Sequence, residues 1–401
     1  MNVLFLTITQ FPSINARGIY TDLMREFRKQ GHNVFVVNPI ERKYKLPTSL
    51  RKSDGVTILN VRTFNLQKTN IIEKGIGTLA IENQFYKAIK NYLSEIQFDL
   101  ILYSTPPITF TKVIRNIKKK DNSKSYLLLK DIFPQNAVDI GLMKKGSLLH
   151  KFFERKEKKL YEVSDFIGCM SPANINFILT NNKQIQSNKL EVCPNSIELT
   201  TLNPNIHAKE EVKYNYNIDP QSTIFIYGGN LGKPQGIDFL LEVLNSNNGK
   251  NDRFFFIVGN GTEYKKINNW FKQNNFSNAK LIEYLPKKEY DNLVQACDVG
   301  LIFLDPRFTI PNYPSRLLSY LEYKMPVLMA IDKNTDIGKI AEDNNYGFWT
   351  ESGNLKEFNL LLDKFCNNKS LIEEMGENGY RFLENNYTVR ISYDKIMKHF
   401  I

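Results

Sequence analysis

Residues 301–330 read LIFLDPRFTIPNYPSRLLSYLEYKMPVLMA: an apolar strand, a Pro-punctuated loop, a short helix and a second apolar strand. Residues 301–304 form a short run of the kind buried on both faces of a parallel sheet. Pro306, Pro311 and Pro314 disfavour a helix until Ser315, which is placed to cap one over 315–323. Such a helix start gathers free N–H groups, the Ser315 hydroxyl and the Arg316 guanidinium, a combination that favours a phosphate. Taken alone, the segment also reads as a plain crossover helix with an ordinary Ser cap.

Two earlier loops tilt that balance. Residues 223–227 read as a strand that runs into Gly228-Gly229-Asn230-Leu231-Gly232-Lys233-Pro234-Gln235-Gly236, followed by helical spacing in Ile237, Leu240, Leu241 and Val243. Glycine lets backbone approach a ligand where a side chain would obstruct it. The spacing is neither GxGxxG nor GxxxxGK[ST], so a dinucleotide fingerprint and a Walker loop are both unsupported. A third strand, 253–258, ends in Gly259-Asn260-Gly261. Three such loops in one half point to a nucleotide at the carboxyl edge of a parallel sheet.

The first half opens in the same style. Residues 3–7 read as a strand, Gly18 opens a helix that Gly31 stops, and 33–38 read as the second strand, which places Gly18 where a substrate could approach. After a basic stretch, 42–52, strands are expected near 57–64, 100–104, 126–130 and 166–170, with a long helix over 71–93. A polar, aperiodic linker is expected over 199–221. From residue 223 the β/α alternation restarts, with helices at 265–276, 290–296, 355–366 and 387–400. The expected architecture is therefore α/β, with doubly wound Rossmann-like domains at 1–198 and 199–384.

Composition sets bounds. With 401 residues, 42% hydrophobic and 12% aromatic, the chain is long enough to bury two cores. No run of about 20 apolar residues occurs, and the start MNVLFLTITQ lacks a basic n-region, so a cytoplasmic protein is expected. Cys169, Cys193, Cys297 and Cys366 are widely spaced and read as free thiols. None of His32, His150, His207 and His399 suggests a triad or metal site; His32 reads as a turn residue.

Residues 1–200 hold 30 Lys/Arg against 17 Asp/Glu, whereas 201–401 hold 23 against 25, so the net charge of +11 belongs to the first half. Within 147–161, Leu148, Leu149, Phe152 and Phe153 recur at helical spacing beside Lys151, Arg155, Lys156, Lys158 and Lys159. A basic amphipathic helix of this kind either lies on an anionic membrane surface or packs its stripe on the core. No base-reading pattern accompanies the charge, so no nucleic-acid partner is expected.

The order YGGNLGKPQG, FFFIVGNG, LIEYLP and CDVGLIFLDPRFTIPNYPSRLLSYLEYKMPVL, with NVLFLTITQFPSINARGIY and YLLLKDIFPQNAVDIG before it, resembles GT-B glycosyltransferases across nearly the whole chain. More narrowly it is similar to family 4 enzymes of bacterial capsule and O-antigen assembly, especially N-acetylfucosamine transferases. The resemblance implies two domains facing a cleft, with a terminal helix from about 385 crossing back to the first. It implies a retaining transfer of an N-acetylated deoxyhexose from a UDP-sugar to an undecaprenyl-diphosphate-linked sugar at the inner membrane face. No metal or other cofactor is implied, and other capsule-assembly proteins become candidate partners.

For the donor, the resemblance singles out Gly18, Gly229, Asn230, Gly232, Lys233, Gly259, Leu285, Ser315, Arg316, Ser319 and Glu322. Family members often carry Arg and Lys where this chain has Asn230 and Gln235, so Lys233 either supplies the missing charge or is a solvated loop lysine. Two family glutamates are replaced by Pro311 and Ser319, which leaves Glu322 as a candidate substitute. Where many members place a His, this chain has Asp131. That carboxylate either orients a donor hydroxyl, stabilises positive charge, receives the acceptor proton or caps the loop before Pro134; Lys130 pairs with it or with the donor. Lys151, Phe152, Arg155, Lys156 and Lys159 are the expected membrane-facing set. A same-fold UDP-N-acetylglucosamine 2-epimerase and a non-catalytic nucleotide-sugar-binding scaffold are the competing classes.

Overall fold

The computed structural model describes residues 1–66, 71–200 and 208–400, so His207 lies outside it. The chain divides into two compact units, Met1–Glu198 with Thr388–Ile401, and Leu199–Tyr387.

The first unit is built on β1 (Asn2–Leu6), β2 (Asn33–Glu41), β3 (Ser49–Ser53), β4 (Val56–Thr63), β5 (Leu100–Ser104), β6 (Lys124–Leu129), β7 (Phe166–Cys169) and β8 (Leu190–Val192). They form one sheet in the order β3-β4-β2-β1-β5-β6-β7-β8. The central strands are apolar along their whole length because helices cover both faces; Leu4, Phe5, Leu100 and Leu102 are fully buried. β1 pairs with β2 on one side and β5 on the other, both parallel. The connections leave in opposite directions there, the position at which open sheets bind ligands.

Two strands of this sheet were not expected, β3 and the three-residue edge strand β8. Within the basic stretch, β3 pairs antiparallel with β4, and its sequence SLRKS alternates half-buried and exposed residues. An edge strand pairs on one side only and tolerates charge, so it lacks the apolar run that marks its neighbours.

The second unit carries β9 (Thr223–Gly228), β10 (Arg253–Val258), β11 (Ala279–Ile282), β12 (Val299–Phe303), β13 (Val327–Ile331) and β14 (Gly347–Glu351), in the order β11-β10-β9-β12-β13-β14. Its switch point is the β9/β12 pair, Val299↔Phe225 and Gly300↔Ile226. The helix Ile237–Ser246 buries Ile237, Phe239, Leu240, Leu241, Val243 and Leu244 on this sheet, at about 1.5–3 kcal/mol per large side chain. The expected aperiodic linker is corrected in part: residues 201–207 lie outside the description, but Ala208–Asn215 is a helix. Its charged sequence, AKEEVKYN, hides the period.

The last helix, Val389–Met397, packs in the first unit against Ile19–Lys29. Ser392 and Ser196 share a hydroxyl hydrogen bond of 2.8 Å, and His32 Nε2 meets the Tyr393 hydroxyl at 2.8 Å, consistent with a structural His32. The four cysteines are free.

Candidate functional site

In the second unit, the loops after β11, β10, β9 and β12 stand side by side at the carboxyl edge because their strands are neighbours. The Gly229 N–H donates to Val258 O at 2.9 Å and Leu231 N–H to Asn260 O at 3.0 Å, which joins the β9 and β10 loops; Asp305 N–H donates to Pro234 O at 3.1 Å, which joins β9 to β12. Gly259 has φ 151°, and a Cβ there would lie 1.8 Å from Gly229 O. We predict that Gly259→Ala lowers the melting temperature by several degrees, since overpacking costs ~1–3 kcal/mol and each kcal/mol moves Tm by about 2–4 °C in a unit of this size. An unchanged melting curve would show that this approach is not required.

Arg316 ties the loops to the helix Arg316–Glu322. Its guanidinium lies over the Tyr227 ring, 4.1 Å from the centroid, and Nη2 donates to Gln235 Oε1 at 2.6 Å. The Tyr227 hydroxyl donates to Asn230 O at 2.7 Å, so Tyr227, Gln235 and the glycine loop together hold the cation. A methyl on Gly229 would come 3.7 Å from Nη2. Nη1 is buried with no hydrogen-bond partner, and among the described residues no carboxylate lies within ion-pair distance of Arg316. A held, half-buried cation with a buried Nη1 and no carboxylate partner, beside exposed glycine backbone, is a place for an anion.

The other expected donor residues divide. Gly229, Asn230, Gly232, Lys233 and Gly259 belong to this loop cluster. Lys233 is exposed in the short turn Lys233–Gln235. Leu285 is half-buried in the β11 loop. Ser315 is exposed, already helical in backbone (φ −64°, ψ −18°), and its hydroxyl makes no capping bond, which corrects the expected Ser cap. Ser319 lies mid-helix and half-buried. Glu322 is also corrected: it is the last helical residue, 1% exposed, and accepts from the Thr200 N–H at 3.3 Å and the Thr200 hydroxyl at 3.2 Å. Buried and engaged by Thr200, it is not available as a ribose carboxylate.

In the first unit, Gly18 precedes the helix Ile19–Lys29, but its N–H is already engaged, donating to Asp22 Oδ1 at 3.1 Å. Asp22 is buried and pairs with Arg25 at 2.6 Å. Asp131 follows β6. The Thr105 hydroxyl oxygen accepts from the Lys130 and Asp131 N–H groups at 3.0 and 3.1 Å, and Asn136 Nδ2 lies 2.8 Å from both Asp131 carboxylate oxygens. Burial pushes the Asp131 pKa up to about 6, and the Asn136 donation only partly offsets it. Lys130 does not pair with Asp131: its Nζ donates to Cys193 O at 2.9 Å, and burial pulls its pKa down to about 8. Glu157, which the sequence did not mark, is buried, accepts from the Tyr161 hydroxyl at 2.8 Å, and is pushed up to about 7 by burial, with Glu154 and Asp131 acting in the same direction.

Glu157 belongs to the helix Leu148–Val163, whose buried face is His150, Glu157, Leu160 and Tyr161. The apolar stripe is split. Phe153 packs edge-on against Phe133, centroids 5.0 Å apart, while Leu148 is 89% exposed, Leu149 56% and Phe152 39%. Lys151, Arg155 and Lys159 are exposed beside them, and Lys156 Nζ sits 5.7 Å from the Phe152 ring centre. Among the described residues no helix is long and apolar enough to cross a membrane.

Residues 208–382, inside the second unit, match the family model described as Glycosyl transferases group 1. With the two doubly wound sheets, this match defines a glycosyltransferase of the GT-B fold. Among individual proteins, the chain is 21% identical over 333 residues to the probable glycosyltransferase WbjE of Pseudomonas aeruginosa, covering 82% of this chain and 80% of WbjE. It is 20% identical over 362 residues to the putative colanic acid biosynthesis glycosyl transferase WcaI of Escherichia coli, covering 85% and 86%. In structure it resembles the sucrose-phosphate synthase of Thermosynechococcus elongatus (TM-score 0.79, 13% identity, covering 100% and 98%). It also resembles Anabaena HepE in complex with UDP (TM-score 0.70, 13% identity, covering 100% and 99%).

Proposed function

We propose that this glycosyltransferase moves N-acetyl-L-fucosamine, an N-acetylated deoxyhexose, from its UDP-sugar to an undecaprenyl-diphosphate-linked sugar in capsular polysaccharide assembly. The observation that carries a nucleoside diphosphate donor is Arg316, a half-buried cation with no counter-ion among the described residues, held against the bare backbone of Gly229. The similar fold of HepE, solved with UDP, supports uridine as the nucleoside; the choice of sugar and lipid rests on the motif resemblance.

In this reading the C1–O bond to the β-phosphate breaks and the acceptor oxygen bonds to C1 on the same face. Charge then gathers on the leaving diphosphate, where Arg316, Lys233 and the Gly229 and Gly232 backbone act. The sugar becomes oxocarbenium-like, and the ionised Asp131 carboxylate stabilises it and receives the acceptor proton. Lys130 supports the same region as a cation.

The helix Leu148–Val163 is assigned to the anionic membrane surface that carries the acceptor: exposed Leu148, Leu149 and Phe152 enter the interface while Lys151, Arg155, Lys156 and Lys159 meet lipid phosphates at about 1 kcal/mol each. Liposomes with anionic lipid are expected to pellet the protein at low salt and release it as salt rises. A protein that stays in the supernatant at low salt argues against docking.

The reaction is tested by UDP release from a panel of UDP-N-acetyl sugars, with and without a lipid-linked monosaccharide, in the presence of a chelator. Acceptor-dependent release identifies the donor and supports a metal-independent transfer; absence of release from every donor despite UDP binding overturns the proposal.

A further inference from the structure

A cavity of about 600 Å³ opens in the second unit, lined by Lys209, Lys213, Tyr214, Asp298, Lys369 and Ile372 among others. That size is ordinary for a small-molecule site. The lining includes Thr223, the first residue of β9, and Asp298, which immediately precedes β12. The Arg316 cluster stands at the other ends of these strands, a separation of about 17–20 Å for strands of this length.

Three ammonium groups line this cavity beside the carboxylates of Asp298, Glu210 and Glu373, and only one of the three is ion-paired among the described residues. Lys209 pairs with Asp298. Lys213 Nζ, in contrast, donates to the carbonyls of Pro220 and Ser222 at 2.5 and 3.0 Å, and Lys369 Nζ donates to Gln221 Oε1 at 2.7 Å. No carboxylate of the described residues lies within ion-pair distance of either. Burial, then the charge of Lys209, holds the Lys213 pKa below the ordinary lysine value, with Asp298 opposing the shift, Lys369 adding to it and Asp219 opposing it more weakly. Carbonyl and amide oxygens orient these ammonium groups without neutralising them, so an added anion gains from both. Beside them Tyr214 is 85% exposed, and Ile218 and Ile372 supply apolar wall.

We propose that this cavity is a second ligand site, separate from the donor site, for a phosphorylated small molecule, with the phosphate between Lys213 and Lys369 and the attached ring on Tyr214. A sugar phosphate and a nucleoside monophosphate share this chemistry, so both are used as probes.

The test titrates glucose 6-phosphate and, separately, UMP into the full chain and its variants by calorimetry. Arg316→Ala protein, weakened at the donor site, is expected to retain wild-type affinity for at least one probe at this second site. Lys213→Met/Lys369→Met is expected to weaken that binding at least tenfold, and the arm that responds identifies the source of the phosphate. Because Lys213 also ties two carbonyls, Tyr214→Ala serves as a second variant: its side chain is exposed, so an unchanged melting temperature with several-fold weaker binding is expected. Loss of all binding in Arg316→Ala protein, or unchanged affinity in the lysine and tyrosine variants, overturns the proposal.

Discussion

Arg316→Ala weakens UDP binding by about 10- to 150-fold, the equivalent of the ~1.5–3 kcal/mol of a hydrogen bond to a charged group. The guanidinium is held by Gln235 at 2.6 Å and by the Tyr227 face, so little side-chain order remains to be lost when a diphosphate arrives. Thermal stability changes far less. The variant gives up a cation–π contact worth about 0.5–2 kcal/mol, but it also removes a buried Nη1 donor that has no partner. Arg316→Lys falls between the two, because a lysine ammonium does not reproduce the planar fork. Calorimetry with UDP, beside melting curves, reads both quantities. Wild-type affinity in Arg316→Ala would remove the diphosphate from this part of the unit.

Asp131→Asn lowers kcat by about 10²–10⁴-fold, the range for a lost general acid or base, and leaves UDP affinity nearly intact. Asn keeps the size of the side chain, so the Asn136 contact to one oxygen survives. The pH dependence carries a second signature. Burial raises the Asp131 pKa to about 6, so the working carboxylate is lost as pH falls through that value. Wild-type kcat therefore declines on the acid side with an apparent pKa near 6, and that limb disappears in the variant. The stability effect has the opposite sense. The folded pKa lies above the unfolded value of 3.8, so between those values the native state binds more protons and Asp131's contribution to stability falls as pH rises. Asn removes that cost at neutral pH, so lost activity in the variant does not reflect unfolding. Equal loss of UDP affinity in Arg316→Ala and Asp131→Asn would contradict the division of roles.

Much of the fold is legible in the residues. β5 as LILYS and β10 as RFFFIV are apolar runs too short for helices and too continuous for a half-exposed sheet, and their alternation with amphipathic helices leaves a doubly wound α/β fold as the natural solution. The elements that escape notice include the short edge strands β8, β11 and β14; β3, an edge strand of charged and small residues; and the helix Ala208–Asn215, whose Lys and Glu mask its period. The basic helix is legible as amphipathic, but which apolar residues face inward is not. Phe153 is half-buried against the Phe133 ring, whereas Phe152 packs on Phe153 and stays 39% exposed.

By itself, then, the sequence determined the two α/β units, the glycine-rich turns after β9 and β10, and the presence of Arg316 at a helix start and Asp131 just after a strand, because periodicity and backbone freedom are local properties. Only the tertiary structure decided what those residues are free to do. Glu322 is engaged by Thr200, the Gly18 N–H by Asp22, and Lys130 by Cys193 O, whereas Arg316 keeps a buried N–H without a partner among the described residues. These partners are 4 to 122 positions away in the chain. A charge is neutralised by whatever the fold brings within a few ångströms, so availability for a ligand is a property of packing rather than of motif.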